Sequence, residues 1–372
     1  MPTHDVAIIG LGAMGSAAAF ELARRGLDVI GFDRFTPPHA FGSSHGDSRI
    51  IREAYFEDPG YVPMVQRAFD LWRELERRSA TTLMEQTGGL MIGAPGGVLV
   101  EGARHSAQLH GLQYSMLSAP DIRSRFPVLT PEHGMVGVWE PRAGVLSPEG
   151  CVTAHLEQAR RCGAILRYEE PVEHWLARDD HVSVFTGLGQ YRARQLIICA
   201  GAWVDSLLPE LRLPFRIERQ VLHWFEPVGD ADSFTPARCP IHLWQFDGDR
   251  FFYGFPDKGT GVKVAFHHGG ETTTVSGLRR EVVVSDVDEA RAAVGRFIPA
   301  ANGRLLRSVV CLYTNTPDEH FWIDRHPEHP NVLVASPCSG HGFKFAPVIG
   351  EILADLVEGR PVRFDLRLFR WR

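Results

Sequence analysis

The chain has 372 residues, 44% apolar, 23% charged and 10% aromatic, with a formal net charge of −6. This is a globular composition of two domains or one large one, and a poor match for nucleic acid or an anionic membrane surface. Its basic residues are lopsided: of 39 Lys plus Arg, only Lys258, Lys263 and Lys344 are lysine, so each stands out wherever a compact ammonium or a tunable charge is needed.

Apolar runs stay short of the ~18–20 residues of a membrane span. The opening Met-Pro-Thr-His-Asp lacks the basic region of a secretory signal, and the six cysteines form no C-x-x-C pair. The expectation is therefore a cytoplasmic protein without a disulfide scaffold or structural zinc.

Val6-Ala7-Ile8-Ile9 suits a strand buried on both faces of a parallel sheet. Gly10-Leu11-Gly12-Ala13-Met14-Gly15 follows at once. Then come Ala19 and Leu22 at helical spacing, Gly26 as a stop, a second strand Val29-Ile30-Gly31-Phe32, and Asp33. Gly10 permits a tight turn, Gly12 lets backbone approach a pyrophosphate, and Gly15 lets helix pack on strand. Asp33, 18 residues after Gly15, is placed to bind a ribose hydroxyl. This dinucleotide fingerprint does not separate FAD from NAD. No second dinucleotide site is evident, because Gly88-Gly89 and Gly96-Gly97 read as lying outside any strand–turn–helix context.

The segment Gly42-Ser43-Ser44-His45-Gly46-Asp47-Ser48-Arg49-Ile50-Ile51-Arg52, if helical from Ser44, carries His45, Arg49 and Arg52 on one face. That stripe is either an anion-facing surface or a solvated amphipathic face, and the spacing does not choose. Leu196 to Cys199 reads as a strand running into Ala200-Gly201-Ala202-Trp203, where glycine either admits a cofactor or simply ends the strand. Between about 215 and 305 the runs Phe251-Phe252-Tyr253 and Val262-Lys263-Val264 indicate β structure, with Lys263 on the strand face of residues 261, 265 and 267. His267 and His268 point to opposite faces and lack a third ligand, so no metal site is expected. Cys311 sits in an apolar run, where composition alone suggests a buried, inert thiol. A last strand, Asn331 to Ala335, leads through Ser339-Gly340-His341-Gly342-Phe343-Lys344 into an apolar helix from Val348 to Leu356.

Taken together, the fingerprint, Gly-Ser-Ser-His-Gly-Asp-Ser-Arg-Ile-Ile-Arg (42–52), Tyr-Gly-Phe-Pro (253–256), Cys-Leu-Tyr-Thr-Asn-Thr-Pro-Asp-Glu-His-Phe (311–321) and Ser-Gly-His-Gly-Phe-Lys-Phe (339–345) resemble the monomeric sarcosine oxidase family. That family includes N-methyl-L-tryptophan oxidase and L-pipecolate oxidase, and the resemblance covers essentially the whole chain. It implies FAD held through an 8α-thioether to Cys311, oxidation of the C–N bond of secondary amino acids, and electron transfer to O2. By the same resemblance Arg52 and Lys344, with Tyr313, bind substrate, and Lys263 activates O2. Arg49 and His45 lie near the flavin ring, while Tyr253 and His267 shape the substrate pocket. The implied cofactor contacts are Gly10, Gly12, Ala13, Met14, Gly15, Asp33, Ser43, Ser44, Arg49, Val172, Ala200, Gly201, Trp203, Cys311, Gly340, Gly342, Phe343 and Lys344.

Three positions depart from the family pattern. Ser44 replaces a histidine, and Pro337 and Cys338 replace a glycine and a phenylalanine. Trp224 and Trp244 fall on segments that flank the expected substrate site. The expected fold class is α/β (α+β over two domains): a Rossmann-type FAD-binding domain of 1–80, 145–215 and 305–372, with an inserted β-rich substrate domain of 81–144 and 216–304. The expected partners are a small secondary amino acid and O2, with no nucleic acid and no membrane, acting on a monomer. An NAD-dependent dehydrogenase also fits the fingerprint but gives the 311–321 motif no purpose, and a nucleotide-binding regulator gives Lys263 none.

Overall fold

The computed structural model describes residues 2–336 and 338–371. Its first layer grows from the N-terminal apolar run. Strands Val332–Ala335, Gly189–Ile198, Thr3–Ile9, Val29–Phe32 and Ile165–Arg167 lie side by side and parallel. The hairpin Val172–Ala177 and Val182–Thr186 pairs antiparallel with the start of Gly189–Ile198, and Ile323–Arg325 pairs antiparallel with Val332–Ala335 on the same side. Alternation along Thr3–Ile9 sends Val6 and Ile8 to one core and Ala7 and Ile9 to another, so both faces are dry.

Helices Ala13–Arg24, Val62–Ser79, Pro148–Arg161 and Ala346–Glu358 cover the first of these faces. Close packing here depends on glycine. Gly10 has φ +89°, and a Cβ on it would lie 2.5 Å from the Cys199 carbonyl oxygen; one on Gly15 would lie 1.8 Å from Gly10 O. Gly350 brings the last long helix against the first in the same way, 2.8 Å from Ala17 O.

The second sheet has nine strands, mostly antiparallel. Arg216–Phe225 is its spine, pairing with Leu305–Asn315 on one side and with Val262–His267 and Glu271–Thr273 on the other. The helix Val284–Phe297 caps a core that includes Trp244, Phe246, Phe252 and Phe297. The expected boundary at 305 does not coincide with a sheet boundary, because residues 305–315 pair along this spine. A three-stranded piece made of Arg49–Ile51, Gly144–Leu146 and Met84–Gln86 completes the fold.

Two local expectations are corrected. The 44–52 segment is not a helix: Gly46 and Asp47 take φ +98° and +65°, and Arg49–Ile51 is a strand. Gly96-Gly97 does lie between a strand, Gly89–Gly93, and a helix, Val98–Leu109, but that strand belongs to the second sheet. Among the described residues no helix is long and apolar enough to cross a membrane.

Two glycine substitutions separate close packing from helix propensity. Gly350→Ala forces a methyl against Ala17 and is expected to cost about 1–3 kcal/mol. Gly150→Ala, in the helix Pro148–Arg161 with nothing nearer than 3.5 Å, is expected to gain up to about 1 kcal/mol. Thermal unfolding of the two variants should therefore shift in opposite directions, and equal shifts would contradict the packing account.

Candidate active site

One large cavity runs between the two sheets, and the fingerprint forms part of its wall. Leu11 N–H donates to Asp33 Oδ2 at 2.8 Å and Phe35 N–H to Asp33 Oδ1 at 2.9 Å, which fixes the acid at the end of its strand. Gly12, the residue before the helix Ala13–Arg24, carries no side chain to screen the helix amides from the cavity. Ser44 Oγ accepts from Ala13 N–H at 3.2 Å, so the serine at this departure serves the helix start. Arg34 lies over Trp203, its guanidinium carbon 5.5 Å from the ring centroid, on the same wall.

These features fit a dinucleotide: a side-chain-free turn at a helix N-terminus, an anchored carboxylate, and aromatic surface nearby. Thr314 Oγ1, on the cavity wall, is buried without a hydrogen-bond partner among the described residues, as expected where a bound polar group belongs.

Cys311 stands on the Leu305–Asn315 strand and lines the cavity. Arg49 Nη2 approaches its Sγ at 3.7 Å while donating to Ser43 O at 2.7 Å, and Ser43 Oγ donates to Leu312 O at 2.7 Å. Burial pushes the Cys311 thiol up, but His45, Arg49 and Lys263 outweigh it and bring the thiol down to about 7. These cationic neighbours set Cys311 apart from the inert cysteine that composition suggests. Cys338, also on the wall, is pushed up to about 12 by burial and stays a neutral thiol. Pro337 lies outside the described residues.

Elsewhere on the wall are two buried cations. Arg52 Nη2 donates to both carboxylate oxygens of Glu57 at 2.8 and 2.7 Å, and the guanidinium sits 4.3 Å from the Tyr55 ring centroid. The backbone beside it is held by Glu140, whose carboxylate accepts from Glu53 and Ala54 N–H at 2.6 and 2.8 Å. Lys344 Nζ donates to His341 O at 2.7 Å and to Tyr55 Oη at 3.2 Å. Burial, with Arg52 nearby, brings the Lys344 ammonium down to about 7.

A relay continues from there. His341 Nε2 lies 3.0 Å from the Glu319 carbonyl, which only accepts, so Nε2 carries the proton and Nδ1 accepts from Tyr55 O–H at 2.6 Å. Burial holds His341 down to about 3, so the ring is neutral. Tyr253, His267 and Tyr313 line the same cavity, with His267 Nδ1 and Tyr313 Oη 3.2 Å apart. Burial raises both phenols and lowers the imidazole.

Most residues marked in the sequence meet at this cavity: Gly10, Gly12, Ala13, Met14, Asp33, Ser43, Ser44, Arg49, Arg52, Val172, Ala200, Gly201, Trp203, Tyr253, His267, Cys311, Tyr313, Gly340, Gly342, Phe343 and Lys344. Three do not line it. Gly15 is packed under Gly10, His45 sits behind Cys311, and Lys263 lies behind Ser48. Trp224 and Trp244 are also off the wall: Trp244 stacks on Phe297 at 4.8 Å in the second core, and Trp224 lies 5.4 Å from Lys263 Nζ. Sequence reasoning missed Glu57, Tyr55 and His341, although each lies within a few residues of a marked cation.

The chain's kinship agrees with this geometry. The model of the family described as FAD dependent oxidoreductase matches residues 5–356. The monomeric sarcosine oxidase of Streptomyces avermitilis is 46% identical over 95% of this chain and 94% of the relative. The N-methyl-L-tryptophan oxidase of Salmonella heidelberg is 37% identical over 99% and 98%. Glycine oxidase from Geobacillus kaustophilus superposes with a TM-score of 0.82 over 100% of this chain and 99% of that one, at 21% identity, a likeness of fold. A dinucleotide cradle, a cavity closed by two sheets and this sequence kinship lead to one conclusion: the chain belongs to the FAD-dependent oxidoreductase family.

Proposed function

We propose that this protein is an FAD-dependent oxidase of N-methyl amino acids, converting sarcosine, O2 and water to glycine, formaldehyde and hydrogen peroxide, with FAD attached at Cys311. The observation that carries the reading is the pair of buried cations, Arg52 and Lys344, in the same cavity as the dinucleotide cradle. Kinship to sarcosine and N-methyl-L-tryptophan oxidases supports the substrate class. A thiol brought down to about 7 beside Arg49 supports covalent attachment, since the thiolate is the nucleophile. The protein is proposed to work as a monomer in the cytoplasm, without nucleic-acid or membrane partners.

FAD, when bound, supplies the two-electron acceptor that takes hydride from the carbon next to the substrate nitrogen and passes the electrons to O2. The chain's part is positional and electrostatic. Arg52 and Lys344 take the substrate carboxylate in charge-assisted hydrogen bonds. Arg52 is already engaged, Nη2 by the Glu57 carboxylate and Nη1 by Ala54 O, whereas among the described residues Lys344 has only the neutral oxygens of Tyr55 and His341 as hydrogen-bond acceptors, so Lys344 is the less committed cation. Fixing the carboxylate fixes the position of the C–N bond, and such positioning supplies a large share of barrier reduction. The same positive charge disfavours a substrate ammonium and favours the neutral amine, the form able to give up hydride. Tyr253, Tyr313 and His267 present dipoles without net charge to the substrate. Lys263 supplies a buried cation for negative charge developing on O2. Water then hydrolyses the imine.

Acid-precipitated protein should keep its yellow colour in the pellet, and Cys311→Ser should release it to the supernatant; colour lost from the wild type would sink the attachment. Hydrogen peroxide formation should be fastest with sarcosine among sarcosine, N-methyl-L-tryptophan and L-pipecolate, and another order would reassign the substrate. The third check uses acetate, a carboxylate without an amine. Lys344 holds its proton only to about 7, so above that pH the cavity loses a charge. Acetate dissociation constants, read from the flavin spectrum, should rise up to about tenfold per pH unit above 7. The slope should vanish in Lys344→Met, and a pH-independent wild type would contradict the assignment.

A further inference from the structure

The lysine given the O2 role does not face the cavity directly; a short turn stands in front of it. Lys263 Nζ donates to Gly46 O at 2.7 Å, Ser48 O at 2.8 Å and Ser48 Oγ at 3.0 Å, which uses all three protons of the ammonium. That turn is unusual backbone. Gly46 and Asp47 are successive left-handed residues, and Asp47, unlike glycine, is strained there. A Cβ on Gly46 would lie 2.6 Å from Leu222 Cδ1, so the turn is also pressed against the second sheet.

The two amides of this turn point the same way, toward a carboxylate on a neighbouring helix. The amides of Gly46 and Asp47 both reach Glu149 Oε1, at 2.6 and 3.2 Å. Glu149 stands in the first turn of the helix Pro148–Arg161, on a different element from the turn and from Lys263. On its outer side the turn is tied by Asp47 to Arg307, whose guanidinium carbon lies 3.9 Å over the Trp224 ring.

We propose that Glu149 is the positioning residue for Lys263: it holds the Gly46–Asp47 amides so that the opposite carbonyls and Ser48 cradle the ammonium. This rests on the oxidase reading, in which Lys263 serves O2. Glu149 acts through the turn and as a charge. The groups facing Lys263 are Arg49 from its strand, Glu149 from the helix and Cys311 from the Leu305–Asn315 strand, which is charged only as a free thiolate and is neutral as a flavin thioether. Burial and Arg49 lower the lysine, whereas Cys311 and Glu149 raise it.

The chain has only three lysines, which makes the ammonium directly observable. Holoenzyme labelled with ε-13C lysine gives three signals, and Lys263→Met identifies the relevant one. Glu149→Gln keeps an acceptor oxygen for the amides but removes the charge, so it should fold. Its Lys263 titration midpoint is expected to fall by on the order of one pH unit, a tenfold loss of proton affinity. Glu149→Ala, which also frees the amides, should lower it further. Reoxidation of the reduced flavin by O2 should lose rate at correspondingly lower pH, while anaerobic reduction by sarcosine changes less than about twofold. An unchanged midpoint in Glu149→Gln, or equal slowing of both half-reactions, overturns the proposal. If Lys263→Met leaves reoxidation untouched, the O2 role of Lys263 fails, and the midpoint still decides whether Glu149 positions the ammonium.

Discussion

Burying positive charge is the constraint on which the rest of this cavity depends. Arg52, Lys263 and Lys344 are each no more than 5% exposed. An ion out of water must find oxygen partners within the protein or lose its charge. Arg52 takes a full counter-charge from Glu57. The two lysines take only neutral hydrogen-bond acceptors, carbonyls and hydroxyls, and both are brought well below the ordinary lysine range. Much of the neighbouring backbone is arranged to supply those oxygens: the left-handed 46–47 turn for Lys263, and the His341 carbonyl for Lys344.

Strand register then distributes the groups. Cys311 and Tyr313 are two apart on the Leu305–Asn315 strand and project to the same side, opposite Gln220 and Glu218 of the spine. Lys263 and His267 share a face of Val262–His267 four residues apart, about 13 Å along the strand. Lys263 therefore reaches the 46–48 turn while His267 reaches Tyr313. A slip of one residue in this ladder would turn both to the opposite face. The first sheet contributes differently: its parallel strands end together, so Gly10, Asp33 and Ala200 collect at one edge without any ladder pairing between their side chains.

The sequence was most legible where one residue type has one physical use. Gly10, Gly15 and Asp33 could be placed because a strand–turn–helix tolerates little else at those points. Only the resemblance singles out Cys311; its apolar neighbours point to an inert thiol, and the cationic groups beside it, Arg49 and His45, come from more than 260 residues away. In the 44–52 segment a spacing of four and three fits a helix, and the structure does not take that option. The structure instead uses Gly46 and Asp47 as a turn, giving up helix to engage Lys263 and Glu149. Glu57 and Tyr55 carried no periodic signal, since their loop is ordered by Arg52 itself and by Glu140 from a remote strand.

The choice of lysine over arginine at 344 has a consequence for charge balance. Arg52 and Glu57 are held together at 2.7 Å, and between them they leave no net charge. The net positive charge of this corner therefore comes from Lys344, and Lys344 sits near 7. An arginine there would stay charged at any physiological pH and would bind an anion, product or substrate, with the same constant pull. Under the proposed function, a lysine here would gain its proton as a carboxylate arrives and give it up as the carboxylate leaves, coupling anion binding to proton uptake. Its proton also has a neighbouring route, because Tyr55 accepts from Lys344 and donates to the neutral His341. In a chain that mostly uses arginine, this site keeps a cation of the kind whose charge can follow a ligand.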